Sequence, residues 1–216
     1  MFDGGLYGMK AIKNIIFDLG DVIINIDVPR AAQSFAELGQ LPLEDVQRLI
    51  QHNEVFKKFE TGQLSAPDFR NYIRELLAHP EWTDGQIDEA WNSLLLDIPP
   101  QRVETIVALA KKGYRLFLLS NTSSIHVEEV NRILHRTTGI PKLDALFEKL
   151  FLSYEMGVMK PHHDIYHGVL TDAGILPQES LFLDDNADNI RAAGEVGIQT
   201  IHVQKPTSIV EYLKDF

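Results

Sequence analysis

The sequence predicts an α/β protein: a three-layer, parallel sheet of about five strands, with a four-helix unit inserted after the first strand. Two observations predict it. Apolar, β-branched runs end abruptly in small polar or acidic residues and lead into helical stretches. Between residues 28 and 97, by contrast, four amphipathic helical patterns follow one another with no strand signal.

The first strand covers residues 12–17 and ends at Asp18. In the inserted unit, apolar side chains recur at helical spacing at Phe69, Tyr72, Ile73, Leu76 and Leu77, and again at Ile87, Ala90, Trp91, Leu94 and Leu95. Ser65-Ala66-Pro67-Asp68 and Thr83-Asp84-Gly85-Gln86 each set a hydroxyl three residues ahead of an acid or amide, a helix N-cap signature. Residues 103–112 are helical in pattern, with lysines in the last turn and Gly113 where a helix should stop. Strands follow at 115–119, ending in Ser120-Asn121, at 150–152, at 181–183, ending in Asp184-Asp185, and at 199–203. Short, fully apolar strands alternating with helices describe a parallel sheet covered on both faces. Residues 1–27 and 98–216 are therefore expected to form a Rossmann-like core, and residues 28–97 a helical insert.

Composition narrows the function. The 216 residues carry 20 Lys and Arg against 31 Asp and Glu, a net charge of −11, and no Lys/Arg cluster appears. That field repels nucleic acid and anionic membrane surfaces. The absence of cysteine excludes a disulfide framework, a thiolate metal site and a cysteine nucleophile. No apolar stretch reaches the roughly 20 residues of a membrane span, and residues 1–10 lack a basic start followed by an apolar run, so a cytoplasmic protein is expected. Met9 is a plausible alternative start, and Gly4-Gly5-Leu6-Tyr7-Gly8 precedes a strand rather than following one, which rules out a dinucleotide fingerprint.

In open parallel sheets, ligands bind outside the carboxyl ends of the strands. This sequence puts Asp18, Ser120, Asn121, Asp184 and Asp185 there. Each alone reads as a turn former or helix cap. Together they line one edge with oxygen atoms from three strands, and carboxylates on two of them suit a hard cation.

FDLGDVI (17–23), LLSNTS (118–123), the lysine of GVMKP (157–161) and FLDDNADN (182–189) resemble, in order, the four motifs of the haloacid dehalogenase superfamily, and residues 28–97 resemble its helical cap. The DLG opening, Glu60-Thr61-Gly62 and the DDNADNI run resemble the superfamily's bacterial sugar phosphatases acting on α-glucose 1-phosphate. The resemblance implies a Mg²⁺-dependent phosphatase of a small phosphorylated metabolite, as monomer or homodimer. Asp18 would be the nucleophile that forms an aspartyl-phosphate. Asp18, the Gly20 carbonyl, Asp184 and Asp185 would hold the metal, and Asn189, four residues past Asp185, would orient that carboxylate. Ser120 and the backbone N–H groups after it, including Asn121, would hold the phosphoryl oxygens, with Gly20 beside them and Lys160 neutralising charge.

One position departs from the resemblance. Phosphatases of the superfamily usually carry a second aspartate, an acid and base, two residues after the nucleophile, where this chain has Gly20. Asp21 is the nearby substitute: a helical turn would put it on the nucleophile's face, an extended one would not. Candidates for choosing the substrate are Glu60, Thr61, Gly62, His52 and Phe56, although Phe56 fits a core position and His52 a surface one. His162, His163 and His167 are expected in solvent rather than on a metal. Two rival readings remain: a 2-haloacid dehalogenase, which attacks carbon and has no use for a cation site, and a non-catalytic phospho-ligand-binding protein.

Overall fold

Residues 11–51 and 53–216 are described by a computed structural model; Met9, the glycines at 4, 5 and 8, and His52 lie outside the described residues. The chain runs β1 (Asn14–Phe17), α1 (Pro29–Gly39), α2 (Leu43–Gln51), α3 (Glu54–Glu60), α4 (Ala66–Leu76), α5 (Asp84–Asn92), α6 (Pro100–Lys111), β2 (Arg115–Ser120), α7 (Ser124–Thr138), β3 (Lys149–Leu152) and α8 (Ser153–Met156). It continues with α9 (His163–Ala173), β4 (Ser180–Asp184), α10 (Ala187–Glu195), β5 (Gln199–His202) and α11 (Ile209–Tyr212). The five strands form one sheet in the order β3-β2-β1-β4-β5, and every neighbouring pair is parallel.

The period-2 alternation of the strands builds the three layers. Ile15, Phe17, Leu116, Leu118, Leu181 and Leu183 face one side, where they share a core with residues of α6, α7 and α11. Ile16, Phe117, Leu119 and Phe182 face the other, against Ile165, Tyr166 and Val169 of α9 and Ala192 and Ala193 of α10. In register, Phe17 lies opposite Leu118 on one side and Leu183 on the other, so the residues after these strands emerge at one edge. The expected end of the helix before β2 is present: Lys112 caps α6, and Gly113 turns the chain at φ +93°.

The helical insert differs from expectation in its count. Five helices, not four, lie between Pro29 and Asn92, because Asn53 breaks what the sequence pattern joins. Its side chain accepts the Val55 N–H at 3.1 Å and starts α3 afresh after α2. The two anticipated N-caps are in place: Ser65 accepts from the Asp68 N–H, and Thr83 and Gln86 form a reciprocal capping box. The helices share a separate apolar cluster around Phe35, Phe56, Phe59, Phe69, Trp82 and Trp91. Phe59 and Phe69 stack with centroids 4.2 Å apart, and Phe56 is a core residue, 9% exposed.

The chain passes between sheet and insert along two adjacent segments. Asn25 donates its N–H to the Asp97 carbonyl, Leu96 donates to Asn25, and Asp27 donates to Leu94, each at 2.9 Å. A third junction lies at the end of α3. Ser153, fully buried at the end of β3, donates its hydroxyl to the Glu60 carbonyl at 2.6 Å and accepts the Thr122 N–H at 3.0 Å. Two residues on, Gly62 adopts φ +69°, and a Cβ there would stand 2.0 Å from the Tyr154 carbonyl oxygen. Only glycine permits that approach. Among the described residues, no helix is long and apolar enough to cross a membrane.

Candidate active site

The oxygen-rich strand ends meet at the sheet edge. Asp18 leaves β1 with its N–H bonded to the Leu183 carbonyl at 2.9 Å, which ties it to the neighbouring strand. Lys160, on the loop between α8 and α9, reaches into the same place: its Nζ donates to Asp18 Oδ1 and to Asp184 Oδ2, both at 2.6 Å. All three residues are buried, Asp184 completely. Asp185 is exposed at the rim, and one carboxylate oxygen from each of Asp18, Asp184 and Asp185 lies within 4.8 Å of the others.

Electrostatics follow from this crowding. Burial, joined by the charge of Asp184 and opposed by Lys160, pushes the Asp18 carboxyl up to about 7. Burial alone would lower the Lys160 ammonium, but Asp18 and Asp184 overcome it and raise it above the ordinary lysine value. Burial and the charge of Asp184 likewise raise Asp185. Three carboxylates against one ammonium leave two negative charges when all ionise. An all-oxygen donor set with that residual charge fits a hard divalent cation.

Two supporting residues, Asn189 and Asp21, are placed differently from expectation. Asn189 orients Asp184, not Asp185: its Nδ2 donates to both Asp184 oxygens at 3.0 Å. The reason is that Asn186 caps α10, accepting the Asp188 and Asn189 N–H groups, so Asn189 sits in the first turn and faces back to the end of β4. Asn121 spends its side chain on Lys160. Its Oδ1 accepts the Lys160 N–H at 2.8 Å and its Nδ2 donates to the Lys160 carbonyl at 2.9 Å, which leaves any phosphoryl role to its backbone.

Asp21 follows neither of the two expected turns. It takes a left-handed conformation, φ +54°, and its carboxylate accepts the Ile26 N–H at 3.1 Å and pairs with Lys205 at 2.7 Å. Its carboxyl is thus held in the turn by Ile26 and Lys205, while its charge is felt at Asp185. Asp21→Asn is expected to change kcat by less than about threefold, where loss of a general acid would cost about a hundredfold or more; steady-state kinetics distinguish the two. At Gly20, a Cβ would come within 2.9 Å of the Ile26 Cδ1, so the tip of Ile26 fills the space a side chain would need.

Beside this cluster opens a cavity of about 310 Å³. Gly20, Ser120, Asn121 and Thr122 line its floor, and Phe56, Glu60 and Trp91 come from the inserted helices. The Ser120 hydroxyl makes only a long 3.5 Å contact with the Asn121 carbonyl, which leaves it available to a ligand. Burial pushes Glu60 up to about 7 and His126 down to about 3, so that the imidazole is neutral. His126 stacks on Trp91 at 4.7 Å and its Nδ1 meets Asn92 Oδ1 at 2.9 Å.

Residues 12–197 match the family profile of a haloacid dehalogenase-like hydrolase. The chain belongs to that family. It is 33% identical over 189 residues to the D-ribitol-5-phosphate phosphatase of Bacteroides thetaiotaomicron, an alignment covering 88% of this chain and 90% of the relative. It is 24% identical to the glyceraldehyde 3-phosphate phosphatase of Pyrococcus furiosus, across 89% of this chain and 81% of that one. A haloacid dehalogenase family enzyme of Bacteroides thetaiotaomicron, solved with magnesium and inorganic phosphate, superposes with a TM-score of 0.83 and 37% identity, covering 92% of this chain and 97% of that one.

Two residues of this haloacid dehalogenase-like hydrolase escaped the sequence reading. Ser153 follows an apolar strand just as Ser120 does, and the rule that found Ser120 points to it equally. His126 carries no such signal, because its place in the cavity depends on α7 packing against α5. The histidines at 162, 163 and 167 are exposed as expected, with His162 capping α9 and His163 pairing with Glu195.

Proposed function

We propose that the chain is a Mg²⁺-dependent phosphatase of a small phosphorylated sugar or sugar alcohol that works through an aspartyl-phosphate on Asp18. The observation that carries this reading is the Lys160 ammonium 2.6 Å from both Asp18 and Asp184, beside a third carboxylate. An acidic pair bridged by a buried lysine beside a cavity suits phosphoryl transfer, where positioning and charge compensation supply most of the catalysis.

Asp18 attacks phosphorus with the oxygen not held by Lys160 or the cation site, and displaces the alcohol in line. Lys160 holds Asp18 in place and offsets charge on the phosphoryl oxygens. The Ser120 hydroxyl and the backbone N–H groups after it bind those oxygens at the start of α7. Asn189 fixes Asp184, and Asn121 fixes the main chain that carries Lys160. Asp18, the Gly20 carbonyl, Asp184 and Asp185 would hold Mg²⁺, which would supply charge neutralisation and orientation of the phosphoryl group.

Residues 28–97 act as a cap that covers the leaving group, over a core that, among the described residues, comprises 11–27 and 98–216. The phosphorylated polyol and aldehyde of the two curated relatives support a substrate of that size. Glucose 1-phosphate, suggested by motif resemblance, belongs to the same class. Phosphate release from ribitol 5-phosphate, glyceraldehyde 3-phosphate and glucose 1-phosphate, with Mg²⁺ and with chelator, tests the reading. Turnover of at least one, lost on chelation, is the expected result. Measurable phosphate binding without turnover of any would overturn it in favour of a phospho-ligand-binding protein.

A further inference from the structure

Expulsion of a sugar or polyol oxygen as an alkoxide is slow unless a proton reaches it in the transition state. The groups at the sheet edge are poorly placed to supply one. Asp18 is the attacking group. Asp184 accepts from Lys160, from Asn189 and, at 2.8 Å, from the Asn186 N–H. Asp21 is tied to Ile26 and Lys205, and Gly20 has no side chain. His126 is neutral, and its Nδ1 is engaged by Asn92.

Glu60 is the one carboxyl-bearing residue among those lining the cavity. Among the described residues its carboxyl group makes no hydrogen bond or ion pair, and partial burial is the cause that raises it. Glu60 is half-buried, so its carboxyl keeps some access to the cavity while burial still raises it, and carboxyls perturbed in this way concentrate where chemistry needs them. Its position is also constructed. Through Ser153, one hydroxyl connects the Glu60 carbonyl to Thr122 of the loop that carries Ser120, and the close approach at Gly62 seats the same corner on Tyr154.

We propose, resting on the phosphatase reading above, that Glu60 is the acid and base of the reaction, acting on the leaving oxygen from the side of the inserted helices. In the first step the bond from Asp18 Oδ to phosphorus forms as the bond from phosphorus to the ester oxygen breaks, and that oxygen takes the Glu60 proton to leave as the alcohol. In the second, water attacks phosphorus, its proton passes to the Glu60 carboxylate, and the Asp18 bond to phosphorus breaks. Inorganic phosphate leaves, and both carboxyl groups return to their initial states. The value of about 7 for Glu60 leaves it substantially protonated at neutral pH, as the first step requires.

Leaving-group dependence tests the assignment. A p-nitrophenolate leaves without a proton, whereas a sugar or polyol oxygen does not. Glu60→Gln keeps the shape of the side chain and removes the acid. It is expected to lower kcat/KM, which reports formation of the aspartyl-phosphate, about a hundredfold or more on the sugar or polyol phosphate turned over fastest and less than about threefold on p-nitrophenyl phosphate, while kcat falls on both because water attack is common to them. Glu60→Ala, checked for an unchanged melting temperature, should repeat the pattern. Equal losses of kcat/KM on both substrates, or no loss on either, would overturn the role of Glu60 and leave the phosphatase reading standing. A wild-type protein inactive on every phosphate ester would instead overturn that reading, and this inference with it.

Discussion

Asp18→Asn should abolish turnover, lowering kcat by at least about 10⁴-fold, the scale seen when a nucleophile is removed from a machinery that acts as a unit. The substitution preserves the outline of the side chain, and Lys160 keeps its 2.6 Å bond to Asp184, so the site should hold its shape. Burial already works against ionised Asp18, which is why its carboxyl is pushed up to about 7, and an uncharged amide does not meet that penalty. The variant is therefore expected to melt no lower than wild type in chelator while losing activity. Residual turnover within about tenfold of wild type would mean that water attacks phosphorus directly and that Asp18 serves only the cation site.

Lys160→Met should damage both activity and stability. The ammonium is the one cationic side chain bonded to Asp18 and Asp184 among the described residues, and its side chain is 1% exposed. Removing one partner from a buried ionic cluster leaves uncompensated charge, at a cost of about 3–5 kcal/mol. Losing the lysine removes the influence that lowers Asp18, so the carboxyl, already raised, rises further. A carboxyl raised in the folded state binds its proton more tightly there than in the unfolded chain, so stability falls as pH rises from the unfolded value towards the folded one. The deficit relative to wild type should thus be small near pH 4, where the unfolded-state carboxyl titrates, and grow through neutrality. Chemical denaturation in chelator at several pH values measures it. A deficit independent of pH would show that lost packing, not unpaired charge, is the cause.

The sequence made the strand ends legible because a fully buried parallel strand admits almost no polar residue, so the first one after it marks the edge. Asp18, Ser120 and Asp184 are therefore visible by their abruptness. The orientation of Asn189 was not, since counting four residues from Asp185 assumes a helix already under way, whereas Asn186 starts α10 at Ala187. The fifth inserted helix was hidden because Asn53 interrupts an amphipathic pattern without a glycine or proline to signal the break. The side-chain bonds of Asn121, which go to a main chain 39 residues away, carried no signal either. Such long-range polar pairings have no local periodicity to betray them. The same limit concealed the partial burial of Glu60, which depends on what covers the end of α3.

The strand order carries a consequence for how the site comes into being. The central strand β1 needs both flanking strands, and the pairing of Asn14 with Ser180 spans 166 residues. Closing so long a loop is entropically unfavourable until the contacts that reward it are made. The local helices of the insert can nucleate early, while the acidic cluster forms only when β4 docks beside β1. A growing or partly folded chain therefore holds Asp18 and Asp184 apart, and capacity for cation binding arrives with completion of the sheet.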